Sequence, residues 1–284
     1  MVKTTIITVC YNSSIYILDY IYSFLAVHKS SSYKKMVEFI FIDNSKEKKL
    51  FKNLLILRRS GFKIKLINSN NVGFSKACNL GVANSKGENI IFINPDVVFL
   101  TPIDKVISEL KSKPWGTCYV KSKLSFQSLS LLPEKKNLFL EFIKVHRIFY
   151  LIPKIFLSKF NFILNNSFIT GSFFAIKKKI FINVGGFNKN FFLYFEDVEL
   201  SERLRKRYGN PFINMDVIIE HHSHKSSKSY RNLCKLEAEG FKTYLKISKK
   251  KFLLKKFLYI FCLLSKIYPK YKIRYLAYSK IKLP

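Results

Sequence analysis

Ile90-Ile91-Phe92-Ile93-Asn94-Pro95-Asp96 is the stretch that decides the fold. Four apolar residues, three of them β-branched, read as a buried strand, and the strand stops in a polar turn that ends on a carboxylate. The same pattern recurs upstream. Thr5 to Val9 is a short β-branched run that gives way to Cys10, Tyr11 and Asn12. Phe39 to Ile42 runs into Asp43-Asn44-Ser45, and Lys63 to Ile67, read as a third buried strand, ends at Asn68. Ile15 to Val27 is helix-like. Strands separated by helical stretches predict an α/β chain with a doubly wound, mostly parallel sheet flanked by helices. Polar clusters at the carboxyl ends of such strands stand where open α/β sheets bind ligands.

Farther along, Phe168 to Ile176 is strand-like, and a helix is expected from about Phe195 to Tyr208, with Gly209 as its stop. It opens on Glu196 and Asp197. Residues 124–168 mix aromatic and basic side chains and are expected to be helical and variable, covering one side of a cleft. Residues 1–240 read as one α/β domain. Residues 241–284 carry 13 Lys and Arg, no Asp or Glu, and an apolar run from Phe257 to Leu264. They are expected to form a basic amphipathic helical appendage on an anionic membrane surface, in preference to a helix that merely packs on the domain.

Lys and Arg total 50 against 18 Asp and Glu, a formal charge of +32. Such a surplus points to nucleic acid, an anionic membrane or phosphate-bearing substrates, although an AT-rich coding bias toward Lys accounts for part of it. Nucleic acid is not expected, because no recognition motif is present and the basic residues sit beside apolar runs. The five cysteines are scattered singly with no C-x-x-C pair, which argues against a disulfide framework and for a reduced compartment. The first apolar run ends at Tyr11-Asn12-Ser13-Ser14, too early for a leader, and no stretch has the length of a spanning helix. The expected location is therefore cytoplasmic, peripheral at the inner face of the cell membrane.

Four segments in order resemble inverting glycosyltransferase family 2, with its GT-A fold, and within it the rhamnosyltransferase-type members. The resemblance covers about Thr4 to Ser229. It implies that Thr8, Cys10, Tyr11 and Asn12 lie against the nucleotide of a nucleoside diphosphate sugar donor. It also implies that Asp43, beside Asn44, accepts a hydrogen bond from the base or ribose. Asn71, Gly73, Phe74 and Asn79 form the next donor-side segment, in which a glycine opening a helix lets backbone N–H groups approach a phosphate. Asn94-Pro95-Asp96 stands where the family usually has Asp-x-Asp, so Asp96 is the one anionic ligand offered to Mg²⁺ or Mn²⁺. Thr170-Gly171-Ser172, Gly185-Gly186-Phe187 and the aromatic run into Glu196-Asp197 complete the match. Adjacent carboxylates that open a helix also serve as caps, but the resemblance makes Asp197 the general base and Glu196 its orienting or acceptor-contacting neighbour.

His221 and His222 are expected near the metal or diphosphate, with Lys225 and Lys228 on a phosphate-facing loop. The histidine cluster lacks the ligand frame of a zinc site. The activity implied is inverting transfer of a sugar, rhamnose favoured, to a lipid-linked or growing surface-polysaccharide acceptor. Transfer of a hexose from uridine diphosphate is the alternative. An inactive basic binding protein is a further one, against which the retained Asp96 and Asp197 speak.

Overall fold

Strands β1 (Thr4–Cys10), β2 (Val37–Asp43) and β4 (Asn89–Ile93) are buried on both faces, which is why their sequences read as continuous apolar runs. The computed structural model describes residues 2–46, 49–122, 125–133, 165–222, 229–266 and 268–283. Most of the expected helical region 124–168 lies outside them. Helices α1 (Ile17–Val27), α2 (Ser31–Met36), α3 (Leu50–Arg59) and α4 (Phe74–Ala83) connect the first strands, with β3 (Lys63–Asn68) between α3 and α4. There follow β5 (Val97–Phe99), α5 (Asp104–Ser112), β6 (Trp115–Ser122), β7 (Ser125–Phe126), β8 (Leu129–Leu131), β9 (Ser167–Ile169), β10 (Phe173–Lys177) and α6 (Lys178–Asn183). The chain continues through α7 (Glu196–Tyr208), β11 (Phe212–His221), α8 (Tyr230–Ser248), α9 (Phe252–Ser265) and α10 (Pro269–Tyr278).

The main sheet has the order β3-β2-β1-β4-β10-β6-β11-β5, with β7 added to β6. Its first four strands are parallel, as expected; β10 then pairs antiparallel with both β4 and β6, and β5 antiparallel with β11. The chain steps outward from β1 to β3 and returns to place β4 on the other side of β1. That reversal opens a crevice beyond the carboxyl ends of β1 and β4, the usual ligand position in a doubly wound sheet. Register carries Cys10 opposite Asp43 and Asp43 opposite Asn68, so the polar clusters that end these strands lie level.

Period-two alternation sends Ile6, Phe39, Phe41 and Ile91 into the core under α1, α3 and α5, and Ile7, Ile40, Ile42 and Phe92 into the core under α4 and α7. β3 departs from the expected buried strand. It is the sheet edge, its residues alternate between exposed and half-buried, and Lys63 and Lys65 face solvent, which protects the edge from further pairing. Phe168 to Ile176 is also not one strand, for the turn Thr170-Gly171-Ser172 divides it into β9 and β10.

A third core joins the C-terminal helices to the domain. Phe241, Tyr244, Leu253, Phe257, Phe261 and Tyr278 pack with Phe191 and Val198. Burying each such ring contributes roughly 1.5–3 kcal/mol. Tyr244 and Lys250 both bond Glu202 of α7 at 2.7 Å, and Arg274 pairs with Glu237 at 3.0 Å. Helix α8 runs straight through the expected boundary at residue 240. Leu253, Phe257 and Phe261 form the inward stripe of α9, whereas Phe252, Lys255, Lys256, Tyr259 and Leu263 face out. Among the described residues no helix is long and apolar enough to cross a membrane.

Candidate active site

The carboxyl ends of the parallel strands are tied into one rim. The N–H of Asn44 donates to Cys10 O at 2.8 Å, that of Ser69 to Asp43 O at 2.9 Å, and that of Asn12 to the Ser45 hydroxyl at 2.7 Å. Asn12 adopts φ 53°, a left-handed turn that an Asn tolerates. Asp43 is fully buried, and its Oδ1 accepts the Ser45 N–H at 2.9 Å. The Asn44 amide donates to Gly73 O at 3.4 Å, while its buried Oδ1 has no partner among the described residues. Asn12, Asn71 and His222 are the exposed members of the expected donor set, and Tyr11 is half-buried.

At the end of β4, Asn94 donates its backbone N–H to Ser172 O at 3.2 Å. The antiparallel pairing of β5 with β11 sets Val97 opposite His221, and His222 N–H donates to Asp96 O at 3.1 Å. His221 Nε2 stands 3.2 Å from Asp96 Oδ1 and 3.4 Å from the Asn94 amide nitrogen. Its Nδ1 is 3.1 Å from Gln127 Oε1, so the ring is held between Gln127 on one side and Asp96 on the other. A carboxylate oxygen and an imidazole nitrogen that converge in this way, with a second residue fixing the imidazole, are donors suited to a divalent cation that draws its other ligands from phosphate and water. Among the described residues no group of three His, Cys, Asp or Glu is placed to hold a metal ion, and His224 lies outside them. Lys225 and Lys228 lie outside the described residues.

Glu196 and Asp197 open α7. Gly171 N–H donates to Asp197 Oδ2 at 3.0 Å and Val198 N–H to its Oδ1 at 2.9 Å. Burial raises the Asp197 pKa to about 6, partly offset by those N–H groups. Burial and the neighbouring Asp197 hold the Glu196 carboxyl well above the usual range, and its Oε2 has no hydrogen-bond partner among the described residues. Burial thus favours the protonated form of both carboxyls, and for Glu196 the charge of Asp197 adds to it. Arg203 grips both Glu199 oxygens, at 2.7 and 2.6 Å, and also Val184 O and Gly186 O, which fixes the first turns of α7 against the glycine loop.

One turn brings the two chemical centres together. Gly171 holds Asp197, and the next residue, Ser172, holds the backbone of Asn94. Gln127 belongs to the same junction, since its carbonyl accepts the Thr170 hydroxyl and its side chain meets His221. Sequence reading had left Gln127 out, because a lone Gln after a short strand carries no motif.

Several expected donor contacts have other work. Thr8 is buried with its hydroxyl 3.3 Å from Tyr20 OH, and the Cys10 thiol lies in the core. Strand alternation explains both, since they point into the layer under α1. Asn79 spends both ends of its amide on Phe187, at 2.7 Å to its O and 3.0 Å from its N–H, and so ties α4 to the glycine loop. Gly73 permits a close approach by the backbone of Phe192. It has φ 85°, and a Cβ there would lie 2.6 Å from Phe192 O; Phe74 N–H, the first free donor of α4, bonds that oxygen at 2.7 Å. The Phe74 ring packs edge-on against Phe187.

The family model described as Glycosyl transferase family 2 matches residues 5–185. No curated protein matches the chain. Solved structures share the fold at low identity. A mannosyltransferase from Pyrobaculum calidifontis in complex with GDP-Man and Mn²⁺ is 13% identical, with TM-score 0.57, covering 87% of this chain and 64% of its own. GalNAc-T7 with UDP, GalNAc and Mn²⁺ is 12% identical, with TM-score 0.58, covering 83% and 47%. TarS of S. aureus, residues 1–349, is 14% identical, with TM-score 0.52, covering 84% and 65%. The chain thus spans less than two thirds of each of these proteins.

Proposed function

The chain belongs to glycosyl transferase family 2, and on that premise we propose that it moves a sugar, with inversion, from a nucleoside diphosphate donor to a saccharide or lipid-linked acceptor. The observation that carries this reading is the Thr170–Ser172 turn, which seats the Asp197 carboxylate on Gly171 and the Asn94-Pro95-Asp96 corner on Ser172. Inversion needs an acceptor hydroxyl to lose its proton on the face opposite the leaving group. Asp197, ionised above about pH 6 and fixed by two backbone N–H groups, takes that proton. Glu196, whose carboxyl burial and the neighbouring Asp197 raise well above the usual range, is the poorer candidate for the charged base.

Asp96 and His221 would hold Mg²⁺ or Mn²⁺, with Gln127 fixing the imidazole. Such a cation, when bound, neutralises charge on the diphosphate oxygens. Half-buried Tyr11 and exposed Asn12, with buried Asp43 and Asn44, line the nucleotide side. Rhamnose is the favoured sugar, on the strength of Asn94 in place of the family's first Asp. The two structures with sugar nucleotide or nucleotide and Mn²⁺ bound support a metal and a nucleotide donor as classes only.

An anionic membrane as the acceptor's setting rests on the outward face of α9, where Lys255 and Lys256 alternate with Phe252, Tyr259 and Leu263. The experiment that tests the activity is a thermal-shift series with deoxythymidine diphosphate rhamnose, uridine diphosphate hexoses and guanosine diphosphate mannose, each with and without Mg²⁺ or Mn²⁺. A ligand that binds the folded state raises the unfolding midpoint in proportion to occupancy. No shift with any of them, followed by no donor turnover, would sink the reading.

A further inference from the structure

The segment between Phe191 and Glu196 is a strap with a glycine under each of its successive carbonyls. On the donor side lies Gly73, where a Cβ would stand 2.6 Å from Phe192 O and 2.9 Å from Phe192 Cα. On the other side lies Gly240, in the middle of α8, where a Cβ would stand 2.8 Å from Leu193 O and 2.5 Å from Tyr194 O. These neighbours are backbone atoms, so no rotamer change makes room. The next two residues, Tyr194 and Phe195, both take left-handed φ angles, 69° and 67°, which side-chain-bearing residues rarely adopt. Phe195 is the last residue before α7, and its ring rests on Phe241 and Tyr244 of α8, at 5.2 and 5.7 Å between centroids. A pair of consecutive left-handed residues persists only where the surroundings over-determine it. Here Gly240 and the rings beside it supply that determination.

We propose that helix α8 is part of the catalytic apparatus, with Gly240 as a positioning residue that seats the strap and thereby aims Asp197 at the donor corner. It touches no reacting atom. It acts through Tyr194 and Phe195, whose unusual backbone turns the chain into α7 so that Asp197 meets Gly171. A helix-interior glycine is otherwise unfavourable relative to alanine, so its presence at the point of backbone contact has a positional reason. The inference rests on the reading of Asp197 as the base.

The test is Gly240→Ala in the full chain, with Glu239→Ala on the exposed side of α8 as control. The readout is hydrolysis of whichever nucleotide sugar gives the largest thermal shift, a reaction in which water replaces the acceptor. Gly240→Ala is expected to lower kcat at least tenfold while the donor KM stays within about twofold, and Glu239→Ala to change neither. A second variant, Phe195→Leu, removes the stack on α8 but leaves the strap backbone. It should give a smaller loss of the same kcat-selective kind, and it decides the matter if Gly240→Ala does not fold. Unchanged kcat in a folded Gly240→Ala protein, or equal losses in kcat and donor affinity in either variant, overturns the strap while leaving the glycosyltransferase reading intact. No turnover by the wild-type chain sinks that reading and takes this inference with it.

Discussion

Two helices begin at opposite ends of one strap, and their starts are put to different uses. Helix α4 begins at Gly73, and its first N–H is bonded to Phe192 O. Helix α7 begins after left-handed Phe195 and spends its opening residues on Glu196 and Asp197. The first start resembled a phosphate cradle in sequence and proves to be a seat for backbone. The second resembled either a cap or a catalytic pair, and its carboxylate is held by a turn from another strand. A glycine before a helix marks a close approach; what approaches is decided by tertiary structure.

The largest test of this contrast is Asp197→Asn. A positioned base contributes about 10²–10⁴-fold, so kcat should fall by that factor while nucleotide affinity holds, with Glu196→Gln milder. Turnover of the wild type should also fall about tenfold per pH unit below about 6, where Asp197 takes up its proton. Full activity in Asp197→Asn would reduce α7's acidic start to a cap. Gln127→Ala comes next. Loss of an outer partner of a metal-binding histidine costs about 10–100-fold in metal affinity, which a Mn²⁺ titration of turnover would read; an unchanged titration would remove the metal role from His221. Gly73→Ala is smaller. Its φ of 85° and the 2.6 Å contact predict a loss of about 1–3 kcal/mol in a denaturant titration, exceeding any effect on nucleotide affinity. A normal denaturation midpoint with donor affinity lost would restore the phosphate reading.

What the sequence disclosed follows the same division. β1, β2 and β4 were legible because burial on both faces leaves a local apolar signature, and Asp43, Asp96 and Asp197 stood out because each lies within three residues of the end of an apolar or aromatic run. β6 and β11 were not. β6 carries Gly116, Thr117 and Lys121, and β11 is interrupted by a register shift between Asn214 and Ile218, so neither shows a clean period. Gln127 owes its place to contacts with residues 43 and 94 positions away, which no window contains. The compositional break near residue 240 falls inside helix α8. Lys246, Lys255, Lys256 and Lys272 face outward while Phe241, Phe257 and Tyr278 continue the domain's packing, so the break in composition is one of surface chemistry.

The smallest effect lies in how stability follows pH, and it separates the α7 start from the core beside α1. His28 is buried, with Nδ1–H donated to Phe24 O at 2.8 Å and Nε2 accepting Ile103 N–H at 3.0 Å. Burial lowers its pKa to about 4 from the ordinary 6.5. The stability it contributes is therefore complete above pH 6.5 and is lost as pH falls toward 4. Asp197 has the opposite sign, for its folded pKa of about 6 lies above the ordinary 3.8, so the folded state gains as pH falls through that interval. Each contribution is on the order of 3 kcal/mol at most for a shift of rather more than two units, and less for Asp197, which solvent partly reaches. In the wild type Asp197, together with Glu196, whose carboxyl is raised in the same sense, opposes the loss from His28 as pH falls from 6 to 4. In Asp197→Asn the contribution from that carboxyl is gone, and stability should fall more with acid between pH 6 and 4 than it does in the wild type. Parallel pH curves for the two proteins would mean that Asp197 is not raised by burial, and would take the acid limit on turnover with it.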